Sequence, residues 1–269
     1  MGSRVLISFD VEEFDLPREH GGDISLEEGV KVSAEGLERI LKICSKSKIK
    51  ATFFVTGNFA RQRPDLVKKI VQDGHEAACH GVDHFKPSKT DILESKKIVE
   101  KVAGVKVNGY RQPRMFEINY NELKRDGYLY DSSVNPAWIP GRYNHRDVPR
   151  KPFMKNGILE IPTSVATFMR VPLFWLALHL FPKTMYFRLA KISLKKTGYL
   201  ATYFHPWEFA ELSGFMEVPK YIKHNSGEKL VERLSWVIDK LKKSGCDFTS
   251  YAEFSETCYN SGYGKGEKN

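Results

Sequence analysis

The sequence predicts an α/β fold: a distorted (β/α) barrel of about seven strands, with its active site at the strand C-terminal ends. Three observations carry this. Short β-branched and aromatic runs alternate with helix-period segments along nearly the whole chain. The side chains capable of chemistry, Asp10, Glu12, His80, His84, Arg111, Asp131 and His205, fall at the C-terminal ends of those runs. A doubly wound open sheet is the alternative, but no Gly-rich phosphate loop follows the first run to mark its ligand site.

Taken in order, Arg4 to Asp10 reads as a buried strand ending in acids, Asp10, Glu12, Glu13 and Asp15. Pro17 and Gly21-Gly22 make a loop, and Val30 to Lys46 has helical spacing through Leu37, Ile40, Leu41 and Cys44. Lys50 to Val55 is the second strand, closed by Thr56-Gly57-Asn58. Leu66, Val67, Ile70 and Val71 mark a helix, and a short strand from Glu76 to Cys79 delivers the two histidines. A helix from about Lys89 to Val102, a strand at Lys106 to Tyr110, a helix from about Asn119 to Arg125 and a strand at Gly127 to Tyr130 follow. The Pro-, Gly-, Asn- and Arg-rich stretch 132–155 reads as a long ordered loop. Ile158 to Pro162 is a short strand, and Val171 to Lys196 one apolar helix with a basic end. Tyr199 to Phe204 is a strand, Glu228 to Lys243 a helix, and a short terminal helix lies near Tyr251 to Phe254. The expected organisation is one domain over 1–259 and a flexible Gly- and Lys-rich tail over 260–269.

Lys and Arg outnumber Asp and Glu by 42 to 33, so the surface field favours anionic partners. The basic residues are scattered, with no zinc-finger spacing and no aromatic RNA-binding signature, which argues against nucleic acid. The 4 cysteines have no paired spacing and read as buried thiols of a reducing compartment. With no signal peptide or bilayer-length apolar run visible, the expected location is cytoplasmic, or at the cytoplasmic face of the membrane.

His80 and His84 stand four residues apart and reach a common atom if the backbone coils between them. Alone this is a weak metal signal, and it gains weight from the acids and the further histidine at other strand ends. The segments Ser8-Phe9-Asp10-Val11-Glu12, Asp73-Gly74-His75-Glu76 leading to His80-Gly81-Val82-Asp83-His84, Tyr110-Arg111-Gln112-Pro113, Tyr130-Asp131-Ser132-Ser133 and Tyr203-Phe204-His205-Pro206-Trp207-Glu208 can be set in order. Together they resemble the five motifs of the polysaccharide deacetylase family, the NodB-homology or carbohydrate esterase family 4 domain, over about residues 4 to 255. Their wording resembles the branch associated with bacterial exopolysaccharide and envelope-glycan biosynthesis.

The resemblance implies metal-assisted hydrolysis of an N-acyl, first of all N-acetyl, amide on an amino sugar. One divalent ion, zinc first, would be held by Glu12, His80 and His84. Asp10 would be the general base with Arg111 holding it ionised, and His205 the general acid with Asp131 orienting its ring. A backbone N–H near Arg114 would help hold the oxyanion, and Trp207 and Trp138 would wall the pocket. Where the family often has adjacent aspartates, Val11 separates Asp10 from the next acid. Residues i and i+2 share a strand face, which favours Glu12 as ligand; Glu13 is the alternative if the strand has already broken. Arg114, where an aromatic is usual, adds a cation that suits an anionic substrate.

Other readings stay open. Asp10 and Glu12 can be capping acids, Arg111 and Asp131 a structural ion pair, and His205 a loop histidine. His20, His75, His145, His179 and His224 read as structural or surface residues. The 171–196 helix is a barrel helix or lid, or else an interfacial helix making peripheral contact with a membrane that carries a lipid-linked sugar. A hydrolase of a formyl or cyclic amide, and a glycan-binding module without catalysis, are the competing functions.

Overall fold

The computed structural model describes residues 3–88, 91–139, 143–166 and 169–261. The strands are β1 Arg4–Val11, β2 Thr52–Val55, β3 Glu76–Cys79, β4 Gly109–Tyr110, β5 Tyr130–Asp131, β6 Trp138–Ile139, β7 Tyr143–Asn144, β8 Phe153–Lys155, β9 Ile158–Glu160, β10 Tyr199–Phe204 and β11 Asp247–Phe248. The α-helices are α1 Leu16–Glu19, α2 Leu26–Ser47, α3 Gly57–Gln62, α4 Pro64–Gln72, α5 Asp91–Ala103, α6 Tyr120–Arg125, α7 Trp175–Leu180, α8 Lys183–Thr197, α9 Lys220–Lys223, α10 Glu228–Lys243 and α11 Tyr251–Asn260.

The sheet runs β10-β1-β2-β3-β4-β5-β9-β8, with β11 added beside β1. The seven strands from β10 to β9 are all parallel to their neighbours, and β8 turns back antiparallel. This is the distorted barrel, and the distortion lies between β9 and β10, which share no ladder. The chain after β9 spans that gap instead: Ser164 N–H donates to Ala201 O at 2.8 Å, and Tyr199 OH donates to Pro162 O at 2.9 Å.

β1 shows why the site sits where it does. Val5, Ile7, Phe9 and Val11 belong to the apolar cluster shared with the surrounding helices, while Leu6 belongs to the interior cluster with Phe54, Ala78, Leu159 and Tyr251. The alternation of a strand puts Ser8 and Asp10 on the interior face with Leu6. Arg111 enters the same interior, its guanidinium 4.0 Å from the centre of the Phe54 ring.

Differences from the sequence reading have local causes. α2 begins at Leu26 rather than Val30, because Ser25 and Glu28 form a capping box that extends the helix by a turn. A Cβ on Gly36 in α2 would lie 1.7 Å from Pro206 O, so glycine is what lets this helix pack against the turn after His205. The expected strand closure at Thr56-Gly57-Asn58 is instead the start of α3, where Thr56 accepts from Phe59 N–H and caps the helix. The expected single helix 171–196 is two, α7 and α8, broken where Pro182 lacks an N–H. The expected long loop contains the β6–β7 ribbon and β8. α11 starts behind a second capping box of Ser250 and Glu253 and runs to Asn260, where the Ser261 N–H closes the last turn onto Thr257 O and Cys258 O. Of the expected flexible tail, 262–269 lies outside the described residues, as does Lys89. All 4 cysteines are buried and free. Among the described residues no helix is long and apolar enough to cross a membrane.

Candidate active site

A cavity of about 560 Å³ opens at the C-terminal ends of the strands. Asp10, Glu12, His80, His84, Arg114, His205 and Trp207 all line it. The sequence-predicted constellation is therefore largely brought together.

Glu12, His80 and His84 present their donor atoms within 4.8 Å of one another. Glu12 Oε2 lies 3.3 Å from His80 Nε2 and 3.1 Å from His84 Nε2. The segment between the histidines is not helical; Gly81, at φ 68°, turns the chain so that both rings face inward. Each ring is fixed from behind. His80 Nδ1 donates to Arg111 O at 2.8 Å, and His84 Nδ1 lies 3.0 Å from Asp15 Oδ2. Those bonds place the proton on Nδ1 and leave each Nε2 lone pair facing Glu12. Glu12 Oε1 accepts from Trp207 Nε1 at 3.1 Å, whereas the buried Oε2 has no hydrogen-bond partner. An unsatisfied buried carboxylate oxygen facing two imidazole nitrogens, each ring backed by an acceptor, is a donor set that could hold a divalent metal such as zinc.

Electrostatics agree. Burial alone would push the Glu12 carboxyl up, but His84, His205 and His80 together hold it far below the usual carboxylate range. Burial opposes a charge on His84, yet Glu12 and Asp15 outweigh it and raise the imidazole to about 9. Without a cation, a proton takes the place beside Glu12.

Glu13 points elsewhere. It accepts from Thr56 Oγ1 at 2.8 Å, Asn58 Nδ2 at 3.2 Å and the His84 backbone N–H at 3.0 Å, so it braces the histidine loop.

Asp10 Oδ1 accepts from Arg111 Nη1 at 2.6 Å, and its other oxygen lies 4.0 Å from His80 Nε2. Arg111 is fully buried; its remaining bonds go to Ser8 Oγ, Ser132 O, Ser132 Oγ and Tyr251 OH. The opposing carboxylate overcomes the burial cost of the guanidinium, which stays charged.

Two expected roles change. His205 is not oriented by Asp131: its Nδ1 lies 2.8 Å from Glu208 Oε1, which also accepts the His205 backbone N–H at 2.6 Å. Asp131 accepts instead from Ser133 N–H and Ser133 Oγ and lies beside Glu160. The residue spacing explains this: Glu208 is one turn on from His205, whereas Asp131 ends β5, which shares no ladder with β10. Trp138 does not line the cavity; it sits on the β6–β7 ribbon under the Arg146 guanidinium, 4.9 Å away. Trp207 does line it, stacked on His205 at 4.9 Å. Arg114 is at the cavity, but its cation is neutralised by Asp15 at 3.1 Å and Glu19 at 2.5 Å, which weakens the expectation of an anionic substrate.

Sequence reasoning missed Asp15, Glu208 and Trp175, a further cavity wall. The first two carried a signal: an acid in the cluster after β1, and an acid three residues after His205.

An α/β barrel with a carboxylate and two histidines at its C-terminal edge defines a class of candidate metal-dependent hydrolases. Residues 24–126 match the family model described as polysaccharide deacetylase. The match contains His80, His84 and Arg111. A peptidoglycan deacetylase of Helicobacter pylori (strain ATCC 700392 / 26695) is 28% identical over 127 residues, 43% of each chain. The peptidoglycan-N-acetylmuramic acid deacetylase PdaA of Bacillus subtilis (strain 168) is 34% identical over 102 residues, 34% of this chain and 38% of that one. A solved structure of a probable polysaccharide deacetylase from Pseudomonas aeruginosa PAO1 superposes with a TM-score of 0.68 at 15% identity, covering 97% and 92% of the two chains. The chain spans less than half the length of the first curated relatives it matches.

Proposed function

We propose that this chain is a metal-dependent hydrolase that removes an N-acyl group, N-acetyl first, from an amino sugar of a glycan or glycan precursor. The observation that carries the reading is the unsatisfied Glu12 Oε2 between two inward-facing imidazoles, in one cavity with Asp10 and His205. The family-model match over residues 24–126 and the deacetylase relatives support the substrate class.

Glu12, His80 and His84 would hold the ion, which supplies Lewis-acid polarisation of the amide carbonyl and acidifies water. Asp10, held in place by the Arg111 guanidinium on one oxygen, takes the proton of the attacking water on the other. The water oxygen bonds to the carbonyl carbon. The Pro113–Met115 turn, with Arg114 at φ 58° and Met115 at φ 52°, holds backbone in a rarely populated region beside the cavity. Pro113 has no N–H and the Met115 N–H already donates to Gln112 O at 3.0 Å, so the Arg114 N–H is the donor for the developing oxyanion. His205, with Nδ1 engaged by Glu208, presents Nε2 to the departing nitrogen and protonates it as the C–N bond breaks, giving carboxylate and free amine. Trp175, Trp207 and Tyr203 supply aromatic faces for the sugar ring.

The test is release of acetate from N-acetylated glycan oligosaccharides by the zinc-loaded chain, compared with Asp10→Asn. Loss of the base should lower kcat by about 10²–10⁴-fold with metal retained. Unchanged turnover in Asp10→Asn sinks the base assignment; formate in place of acetate moves the reaction to formamides; glycan binding with no hydrolysis makes the chain a binding module.

A further inference from the structure

His179, read from the sequence as structural, is fully enclosed and joined to the site through a carboxylate. Glu208 is entirely buried, and both its oxygens are engaged by imidazoles: Oε1 lies 2.8 Å from His205 Nδ1 and Oε2 lies 2.9 Å from His179 Nε2. The two histidines come from different elements, His205 from the end of β10 and His179 from α7.

The protonation pattern of this chain follows from its bonds. His179 Nδ1 is buried and has no hydrogen-bond partner among the described residues. A neutral ring with its proton on Nε2 leaves only a lone pair unmet, whereas a charged ring or the other tautomer strands a buried N–H donor. His179 is therefore a neutral donor to Glu208. One buried carboxylate then faces one neutral donor and one ring free to carry charge, so its negative charge serves His205.

α7 is fixed from outside. Arg233 donates to Leu178 O at 2.7 Å and also to Phe181 O, and Asn225 donates to His179 O at 2.6 Å. One turn before His179, Trp175 lines the cavity and meets the rings of His205 and Trp207 edge-on at 5.6 and 5.8 Å. A single short helix thus carries a cavity wall and the donor that sets the Glu208 rotamer.

We infer that His179 is a positioning residue for the general acid: its Nε2–H holds Glu208 so that Oε1 accepts the His205 Nδ1–H and the acid proton on Nε2 is aimed at the leaving nitrogen. This rests on the proposed hydrolysis only for the identity of the reaction; the arrangement of the three side chains stands apart from it.

The experiment uses the zinc-loaded chain with His179→Leu and His179→Gln, which removes or keeps an N–H donor toward Glu208. Two readouts are taken: kcat and KM on an N-acetylated glycan oligosaccharide, and the imidazole tautomers by nitrogen-15 correlation spectra, with His205 assigned from His205→Gln. The native chain should show Nε2–H on His179 and Nδ1–H on His205. His179→Leu should lower kcat about tenfold or more with KM unchanged and lose the fixed His205 tautomer, and His179→Gln should restore most of both. Full kcat in His179→Leu, no recovery in His179→Gln, or an Nδ1 proton on native His179 overturns the assignment. If no N-acyl substrate is turned over, the proposed reaction fails while the tautomer spectra still decide the role of His179, and the native-chain spectrum decides it even if a variant does not fold.

Discussion

Two groups of buried carboxylates face the interior of this barrel, and they differ in what satisfies them. Glu160 is fully buried on β9, with Oε2 accepting from Tyr120 OH at 3.0 Å and Oε1 from Val134 N–H at 3.1 Å, and its register partner Asp131 is bound by Ser133. Glu12 is as deeply buried, yet one oxygen has no partner and three imidazoles surround it. A buried acid whose oxygens are all met by the chain holds structure, and one left with an open oxygen toward a cavity is arranged for something from outside. Glu13 belongs with the first kind although it adjoins Glu12: each of its oxygens is met by the histidine loop and its surroundings.

The largest effect should come from Glu12→Ala. It removes the open oxygen and leaves two imidazoles that cannot hold an ion alone, so bound zinc measured on the purified chain should fall from one equivalent to background, and activity with it. Retention of a full equivalent would give the ligand role to another acid. Glu13→Gln sharpens the contrast. It alters bonds to the loop carrying His84 without touching the donor atoms, so zinc affinity in a competition titration should fall by about 10–100-fold, as for other outer residues of metal sites. A loss as complete as that of Glu12→Ala would erase the distinction between the neighbours.

Much of this was legible in the sequence, for physical reasons. Strand alternation favours a shared face for Asp10 and Glu12, because side chains repeat every second residue; it leaves Glu13 open, since β1 ends at Val11, and only the bonds of Glu13 to Thr56, Asn58 and the His84 N–H turn it away. The apolar runs of β3 and β10 match their structural bounds, Glu76–Cys79 and Tyr199–Phe204, because strands buried on both faces read as uninterrupted apolar sequence. What strand periodicity cannot carry is the partner of a side chain across the barrel. Asp131 and His205 both end strands, yet whether they touch depends on the shape of the lumen, and the local acid Glu208 meets the ring first. His179 was invisible for the same reason, since its link to the site passes through Glu208 from a helix outside the sheet. The break at Pro182 could have been read from the missing N–H alone, but the apolar run around it masked the proline.

Glu160→Gln tests the structural half of the comparison and should leave metal content unchanged. Burial pushes the Asp131 and Glu160 carboxyls up, and in Glu160 the neighbouring Asp131 adds to the rise, so the pair shares a proton in the folded chain. The folded chain then binds more protons than the unfolded chain above the ordinary carboxylate range. Because stability changes with pH as the protons bound unfolded minus those bound folded, the sign here is negative. The pair's contribution is fully present below the unfolded carboxylate pKa and is lost as pH rises through the folded one. Glutamine cannot ionise, and its amide supplies the N–H that the shared proton supplied. Thermal unfolding followed from acid to alkaline pH should therefore show a decline in Tm for the native chain that is shallower in Glu160→Gln. Parallel curves for the two would mean that the pair carries no shared proton, and that the satisfaction of Glu160 by Tyr120 and Val134 already accounts for its place in the fold.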